Sequence, residues 1–316
     1  MKKSFLVFIF FFIMISGMCQ TPQFTQYFLD EFIYNPASCG DKDAICTNLY
    51  GRQQWLGFYD ERNYLVSPFS VMYSIHGPLY SLNSGIGLNI LYDKLGYEQN
   101  QEIRLNYSYK FTFNDEKSVI SIGTSVSLFN KIIDFEKLVL SQPSDPVLKV
   151  PNSDNGIVPD LSLGVCYKQN NSFKIGISVC NLLNPELKIG NISYQKMRNL
   201  FFDSEYKIDF SKKTTKPLYL IPSLFVKTNF YNAQTDLNLR LESNNKYWGG
   251  ISYRYQDALA LMAGLKVGRF NISAAYDITI GNLSSSSKGS IELFLGYCCP
   301  ISPKVKATNL YNTRYL

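Results

Sequence analysis

Few residues in this chain have the type and spacing that enzymatic chemistry needs. His76 is the only histidine, so a Ser-His-Asp arrangement would have to be built on it. No G-x-S-x-G elbow accompanies it, because "GTSVS" at Gly123–Ser127 lacks the second glycine. "NSDNG" at Asn152–Gly156 resembles the start of a calcium loop but lacks the alternating ligand series and the closing Glu. It reads as a solvated turn. There is no P-loop, no H-E-x-x-H and no C-x-x-C. In "SIHGP" the histidine ends a strand, where an interfacial or turn role is expected. The expectation is a protein that is not an enzyme, with no cofactor and no metal.

The remaining chemistry-bearing residues are cysteines and arginines. Setting aside Cys19, six cysteines remain: Cys39, Cys46, Cys166, Cys180, Cys298 and Cys299. They are too sparse for a disulfide scaffold. Cys39 and Cys46 are the candidate pair in an exported protein, whereas Cys298 and Cys299 are neighbours and poorly placed to bond to each other. Without further histidines the thiols do not suggest zinc.

Export is written into the first residues. "MKKSFLVFIFFFIMISGMCQ" has a basic start at Lys2 and Lys3, an apolar stretch Phe5–Ile15, and small residues Gly17 and Cys19 before Gln20. That is the pattern of a cleaved secretory signal, residues 1–19. The apolar stretch is shorter than the ~20 residues of a spanning helix. Met18 argues against a lipid-modified Cys19. Removing Lys2 and Lys3 from the 31 basic residues leaves 29 against 25 acidic ones, a net charge of +4. These charges are dispersed, so nucleic acid is not an expected partner.

The elements that position these residues are strands. In "QEIRLNYSYKFTFNDE" (Gln101–Glu116), Ile103, Leu105, Tyr107, Tyr109, Phe111 and Phe113 alternate with Glu102, Arg104, Asn106, Ser108, Lys110 and Thr112. Successive side chains on a strand point to opposite faces, which gives one apolar and one polar side. A soluble sandwich and a membrane barrel share that signal. Fourteen such segments recur: Asp43–Arg52, Tyr64–His76, Asn83–Asp93, Gln99–Phe113, Ser118–Ile133, Pro159–Gln169, Ser172–Asn181, Arg198–Phe210, Lys216–Asn229, Tyr231–Glu242, Lys246–Gln256, Ala258–Val267, Arg269–Ile280 and Lys288–Cys298. Their even number, their length and the 15% aromatic content favour lipid on the apolar side. Short connections follow even-numbered segments and the longest ones (Gly51–Asn63, Asp134–Val158, Leu182–Met197) follow odd-numbered segments. The expected fold is all-β: a transmembrane antiparallel up-and-down barrel of about 14 strands, of outer-membrane type, with short turns in the periplasm. It would occupy residues 43–299, followed by a periplasmic tail at 300–316.

The polar sides then line the lumen with Glu102, Arg104, Lys110, Asp236, Arg240, Glu242, Arg254, Asp277 and Glu292, for which mutual ion pairing is the plain expectation. Many lumen-side positions are glycine, among them Gly85, Gly123 and Gly164, which eases strand curvature or leaves room for an insert. Residues 20–42 precede the first strand and are expected either to stay in the periplasm or to plug the lumen.

Four stretches outside this alternation look motif-like: "QFTQYFLDEFIYNPASCG" (Gln23–Gly40), "GRQQWLGF" (Gly51–Phe58), "YWGGISYR" (Tyr247–Arg254) and "NTRYL" (Asn312–Leu316). With "SGIGLNI", "SDP", "IPSLFVK" and "AYDITIG", their ordered combination resembles the PorP/SprF family of the type IX secretion system of Bacteroidota. The family's opening falls on Gln26, Tyr27, Asn35, Pro36, Ala37 and Gly40, and its R-x-Q-W-x-G element on Arg52, Gln54, Trp55 and Gly57. The family ending fits at Arg314 and Leu316, while Thr313 replaces its proline. The resemblance implies an outer-membrane component that docks secretion-machine parts or a cargo with a C-terminal sorting domain, such as a gliding adhesin. On this reading the motif residues are candidate partner-binding positions: Arg52 can donate bidentate hydrogen bonds, Trp55 can bury a large apolar area, and Pro36 holds Asn35 extended. A passive porin or small-solute transporter is the alternative function.

Overall fold

The computed structural model describes residues 22–60, 62–113, 117–135, 154–170, 172–189, 192–211, 216–281 and 284–301. Three short 3-10 turns open it, at Tyr27–Leu29, Glu31–Ile33 and Pro36–Ser38. The first strands are β1 (Ala44–Gln53), β2 (Phe69–Leu79), β3 (Ser84–Leu95), β4 (Glu98–Phe113), β5 (Ser118–Ile133), β6 (Asp154–Gln169) and β7 (Phe173–Cys180). A small hairpin, β8 (Glu186–Ile189) and β9 (Ile192–Gln195), forms a sheet of its own. Then come β10 (Asn199–Tyr206) with its short continuation β11 (Ile208–Asp209), β12 (Leu218–Thr228), β13 (Ala233–Ser243) and β14 (Tyr247–Arg254). The chain finishes with β15 (Ala258–Val267), β16 (Phe270–Thr279) and β17 (Ser290–Pro300).

All wall strands pair antiparallel with their sequence neighbours, and two further pairings close the cylinder. β1 lies against β17, from Ala44↔Pro300 to Gln53↔Ile291. β10 pairs across the hairpin with β7, from Asn199↔Cys180 to Tyr206↔Phe173, and on its other side with β12, from Leu200↔Thr228 to Glu205↔Ser223. With β8 and β9 apart and β11 continuing β10, the wall is a closed 14-stranded up-and-down barrel. Closure leaves no open sheet edge in hydrocarbon, where an unpaired backbone group is costly.

The period-2 sequence signal sets which face looks where. On β4, Ile103 and Leu105 are 52% and 55% exposed on the outer wall, whereas Asn106 is fully buried and Arg104 nearly so. The apolar flank faces lipid and the polar flank faces inward. Several boundaries differ from the sequence expectation. β2 starts at Phe69 rather than Tyr64, because Leu65 bridges to Tyr59 within the preceding loop. β6 starts at Asp154 rather than Pro159; Pro159 is tolerated because its missing N–H lies on the side with no strand neighbour.

The cysteine expectation is corrected. Cys46 is bonded to Cys298, while Cys39 is a buried free thiol. Cys46 and Cys298 are direct cross-strand partners on β1 and β17, so barrel closure, not sequence proximity, brings them together.

Candidate functional site

The interior is filled by the segment that precedes β1. From Gln23 to Gly40 this segment is almost wholly buried, and it carries six of the motif positions. At the end bearing the longer connections, Arg52 Nη1 donates to Thr25 Oγ1 at 2.8 Å and to Glu292 at 3.1 Å, and its Nη2 donates to Asp277 at 2.7 Å. Arg254 Nε donates to Asp236 at 3.1 Å, and its Nη atoms donate to Asp277 and Thr25 Oγ1, both at 3.2 Å. Glu292 in turn accepts the backbone N–H groups of Thr25 at 2.7 Å and Gln26 at 2.9 Å. Gln23 Nε2 donates to Asp236 at 2.9 Å. Two guanidiniums and three carboxylates from β1, β13, β14, β16 and β17 thus close around one threonine. Lumen charges that would each be costly alone are made tolerable by this pairing.

Aromatic packing continues the grip. Tyr27 stacks on Phe225 at 4.5 Å between ring centres, and its hydroxyl lies 3.2 Å from Ser223 Oγ. Phe24 packs on Tyr50, Phe28 edge-on to Trp248, and Tyr34 against Phe201. The Arg240 guanidinium sits 4.0 Å above the Phe28 ring, a cation–π contact.

At the other end the Asn-Pro-Ala turn lies directly on the wall. Asn35 Oδ1 caps Ala37 N–H at 3.0 Å, and Asn35 Nδ2 donates to Val165 O at 3.1 Å. A side chain at Gly123 would place its Cβ 2.3 Å from Ala37 N, and one at Gly164 would place it 2.1 Å from Asn35 Oδ1. Only glycine permits this approach. Gly40 has φ +64°; its N–H donates to His76 Nδ1 at 3.0 Å and its carbonyl accepts from Lys110.

His76 is therefore neither interfacial nor at a strand end: it is buried within β2 and faces the lumen. Because Nδ1 accepts a backbone proton, the imidazole proton is on Nε2, 3.9 Å from Asp30. Ser74 bonds Asp30 and not His76, the wrong order for activating a serine nucleophile. Among the described residues, no cluster of three His, Cys, Asp or Glu could hold a metal.

The structure thus gathers Gln26, Tyr27, Asn35, Pro36, Ala37, Gly40 and Arg52 in the interior, within or against the inner segment, instead of on a surface. Gln54, Trp55 and Gly57 lie apart, in the loop after β1. Gln54 N–H donates to Pro68 O at 2.9 Å and Trp55 N–H to Ser290 Oγ at 3.1 Å. Trp55 adopts φ +53° and Gly57 φ +77°; the first is strained for a bulky residue. Further along that loop, a hydrogen bond from Tyr97 holds the Asp60 carboxyl below the usual carboxylate range. Arg314 and Leu316 lie outside the described residues. Thr25, the centre of the clamp, carries no sequence signal beyond its place in "QFTQY".

The β8–β9 hairpin packs against β4, β5 and β6 at the end with the longer connections. Leu187 and Ile189 are buried, Lys131 lies 4.4 Å over the Tyr194 ring, and Lys196, just past β9, pairs with Glu102 at 2.9 Å.

The geometry can be set beside known proteins. The solved outer-membrane barrels that share the fold include the Ralstonia pickettii toluene transporter TbuX, with TM-score 0.51, 11% identity, 86% of this chain and 93% of that one covered. The P. putida toluene transporter TodX follows at TM-score 0.49 and 9% identity, with 85% and 93% covered. The Acinetobacter baumannii outer membrane protein Omp33 follows at 0.44 and 9%, with 81% and 98% covered. At 11% identity the likeness to TbuX shows fold alone. No curated protein matches the chain. The model of the type IX secretion system membrane protein PorP/SprF matches residues 16–297, nearly the whole sequence, and the chain therefore belongs to the PorP/SprF family.

Proposed function

We propose that this outer-membrane barrel is a non-enzymatic docking component of type IX secretion, working after removal of residues 1–19. Its short turns and termini meet machine parts in the periplasm. The end with the longer connections, at the cell surface, meets an exported cargo that carries a C-terminal sorting domain. The observation that carries this reading is the occupied lumen. Gln23–Gly40 is bolted to the wall by charge clusters, aromatic stacks and a turn seated on glycines, and a hairpin packs against β4–β6 at the mouth. A porin needs a continuous wet path, so passive conduction is the weaker reading.

A clean deletion strain tests it. The surface and secreted proteins are identified by mass spectrometry with and without the gene. One or a few should be left in the periplasm or released to the medium, and the tagged barrel should co-purify with secretion-machine proteins. An unchanged set of exported proteins rules the docking role out.

A further inference from the structure

Among the described residues, the longest run of wall strand with a neighbour on one side only lies at the start of β6. β6 pairs with β5 along its whole length, from Asp154↔Ile133 to Gln169↔Ser118, but with β7 only from Leu163↔Val179 to Gln169↔Phe173. β7 stops at Cys180, and Asn181, at φ +61°, turns the chain away. At the foot of this step Leu161 O accepts from Leu182 N–H at 2.9 Å, and Leu161 N–H is taken by the Asp160 carboxylate at 2.7 Å. Backbone groups alternate sides along a strand. The N–H and C=O of Asn155 and Ile157, and the C=O of Pro159, therefore point the same way as Leu161 O, away from β5. Among the described residues no strand or turn pairs with them.

The surroundings of this edge are specific. β8 packs on its inner face, with the Leu187 side chain 3.3 Å from where a Gly156 Cβ would sit, and does not pair with the edge itself. On the outer face Gln101 and Asn130 stand in register with Ile157, above the apolar row of Ile103 and Leu128. The edge thus stands in water beyond the hydrocarbon, the only level at which unpaired backbone is tolerated. Ile157 is 65% exposed and Leu183 54%. Two exposed cations flank the step: Arg198, whose Nε donates to Leu182 O at 2.9 Å, and Lys188 on β8. Neither pairs with a carboxylate of the described residues.

We propose that this edge of β6 receives an extended, carboxylate-bearing segment of the exported partner as an added strand. The inference rests on the docking reading above and names the contact it uses. Free amides and carbonyls at two-residue spacing are matched only by another backbone, apolar side chains on alternate positions cover Ile157, and Lys188 and Arg198 take the carboxylate. Pro159 withholds one donor and limits the strand to a few residues.

The test uses the full chain returned to the deletion strain. Ile157→Pro removes an N–H that faces only the step and leaves the β5 pairing intact; Lys188→Glu with Arg198→Glu reverses the flanking charge and leaves the backbone alone. Assembly is read from heat-modifiable migration and from the Cys46–Cys298 bond. Both variants should assemble, yet the protein mislocalised in the deletion strain should be mislocalised to the same extent. Ile157→Cys should crosslink to that protein. Extending the partner's C-terminus abolishes the crosslink if the carboxylate is terminal, and neutralising its acidic side chains does so if it is not. If Ile157→Pro fails to assemble, export by the charge-reversed variant alone decides. Full export by either assembled variant overturns the proposal, as does an Ile157→Cys crosslink confined to residues 136–153 of its own chain or to a second copy. Normal export in the deletion strain itself is a different failure, that of the docking reading.

Discussion

Thr25 lies at the centre of the charge clamp, and Gly123 and Gly164 let the Asn-Pro-Ala turn rest directly on the wall. Replacing Gly164 by Val drives a side chain into Asn35, and the inner segment has to lift. The native thiol of Cys39, fully buried, reports this: in the folded wild type its peptide should stay unlabelled by maleimide, and in Gly164→Val it should label within minutes. Arg52→Ala leaves Asp277 and Glu292 short of a cation in the interior, which costs about 3–5 kcal/mol. It should lower the temperature at which the compact band unfolds, with Arg52→Lys recovering only part because the bidentate geometry is lost. At this scale the sequence shows identities better than roles. Arg52 and Asn35 stand out by motif, but a motif does not say whether its residues face a partner or one another. Their partners lie up to 240 positions away, and only the closed wall brings them together.

Among the elements, the seam between β1 and β17 is held by ten paired positions and by the Cys46–Cys298 bond. Closing a loop with a sequence separation of 252 gives a chain-entropy stabilisation of about 5 kcal/mol as an upper figure. Cys298→Ser should therefore lower the unfolding temperature of the compact band. Peptide mapping of the wild type under non-reducing conditions should join Cys46 to Cys298 and leave Cys39 free. The wall strands were legible because lipid on one side and an inner core on the other enforce strict alternation. The β8–β9 hairpin was not, because its strands have four residues each and fall within what reads as one long loop. The inner segment has aromatic residues without strand or helix period, so nothing local declares that it sits in the lumen. The pairing of Cys46 was readable in principle, since a barrel sets its first strand beside its last.

For the whole molecule, the central claim is that the barrel serves as a closed docking body and not as a pore. Lipid-facing side chains, lumen charges and the inner segment work as one unit: Gly85, Gly123, Gly164 and the Arg52–Arg254 charge cluster all contact Gln23–Gly40. The most direct measurement is the conductance of purified protein in planar bilayers, alongside a variant lacking residues 23–38. The intact chain should be electrically silent and the shortened one should pass steady currents. Large, stable open currents from the intact chain would contradict the account.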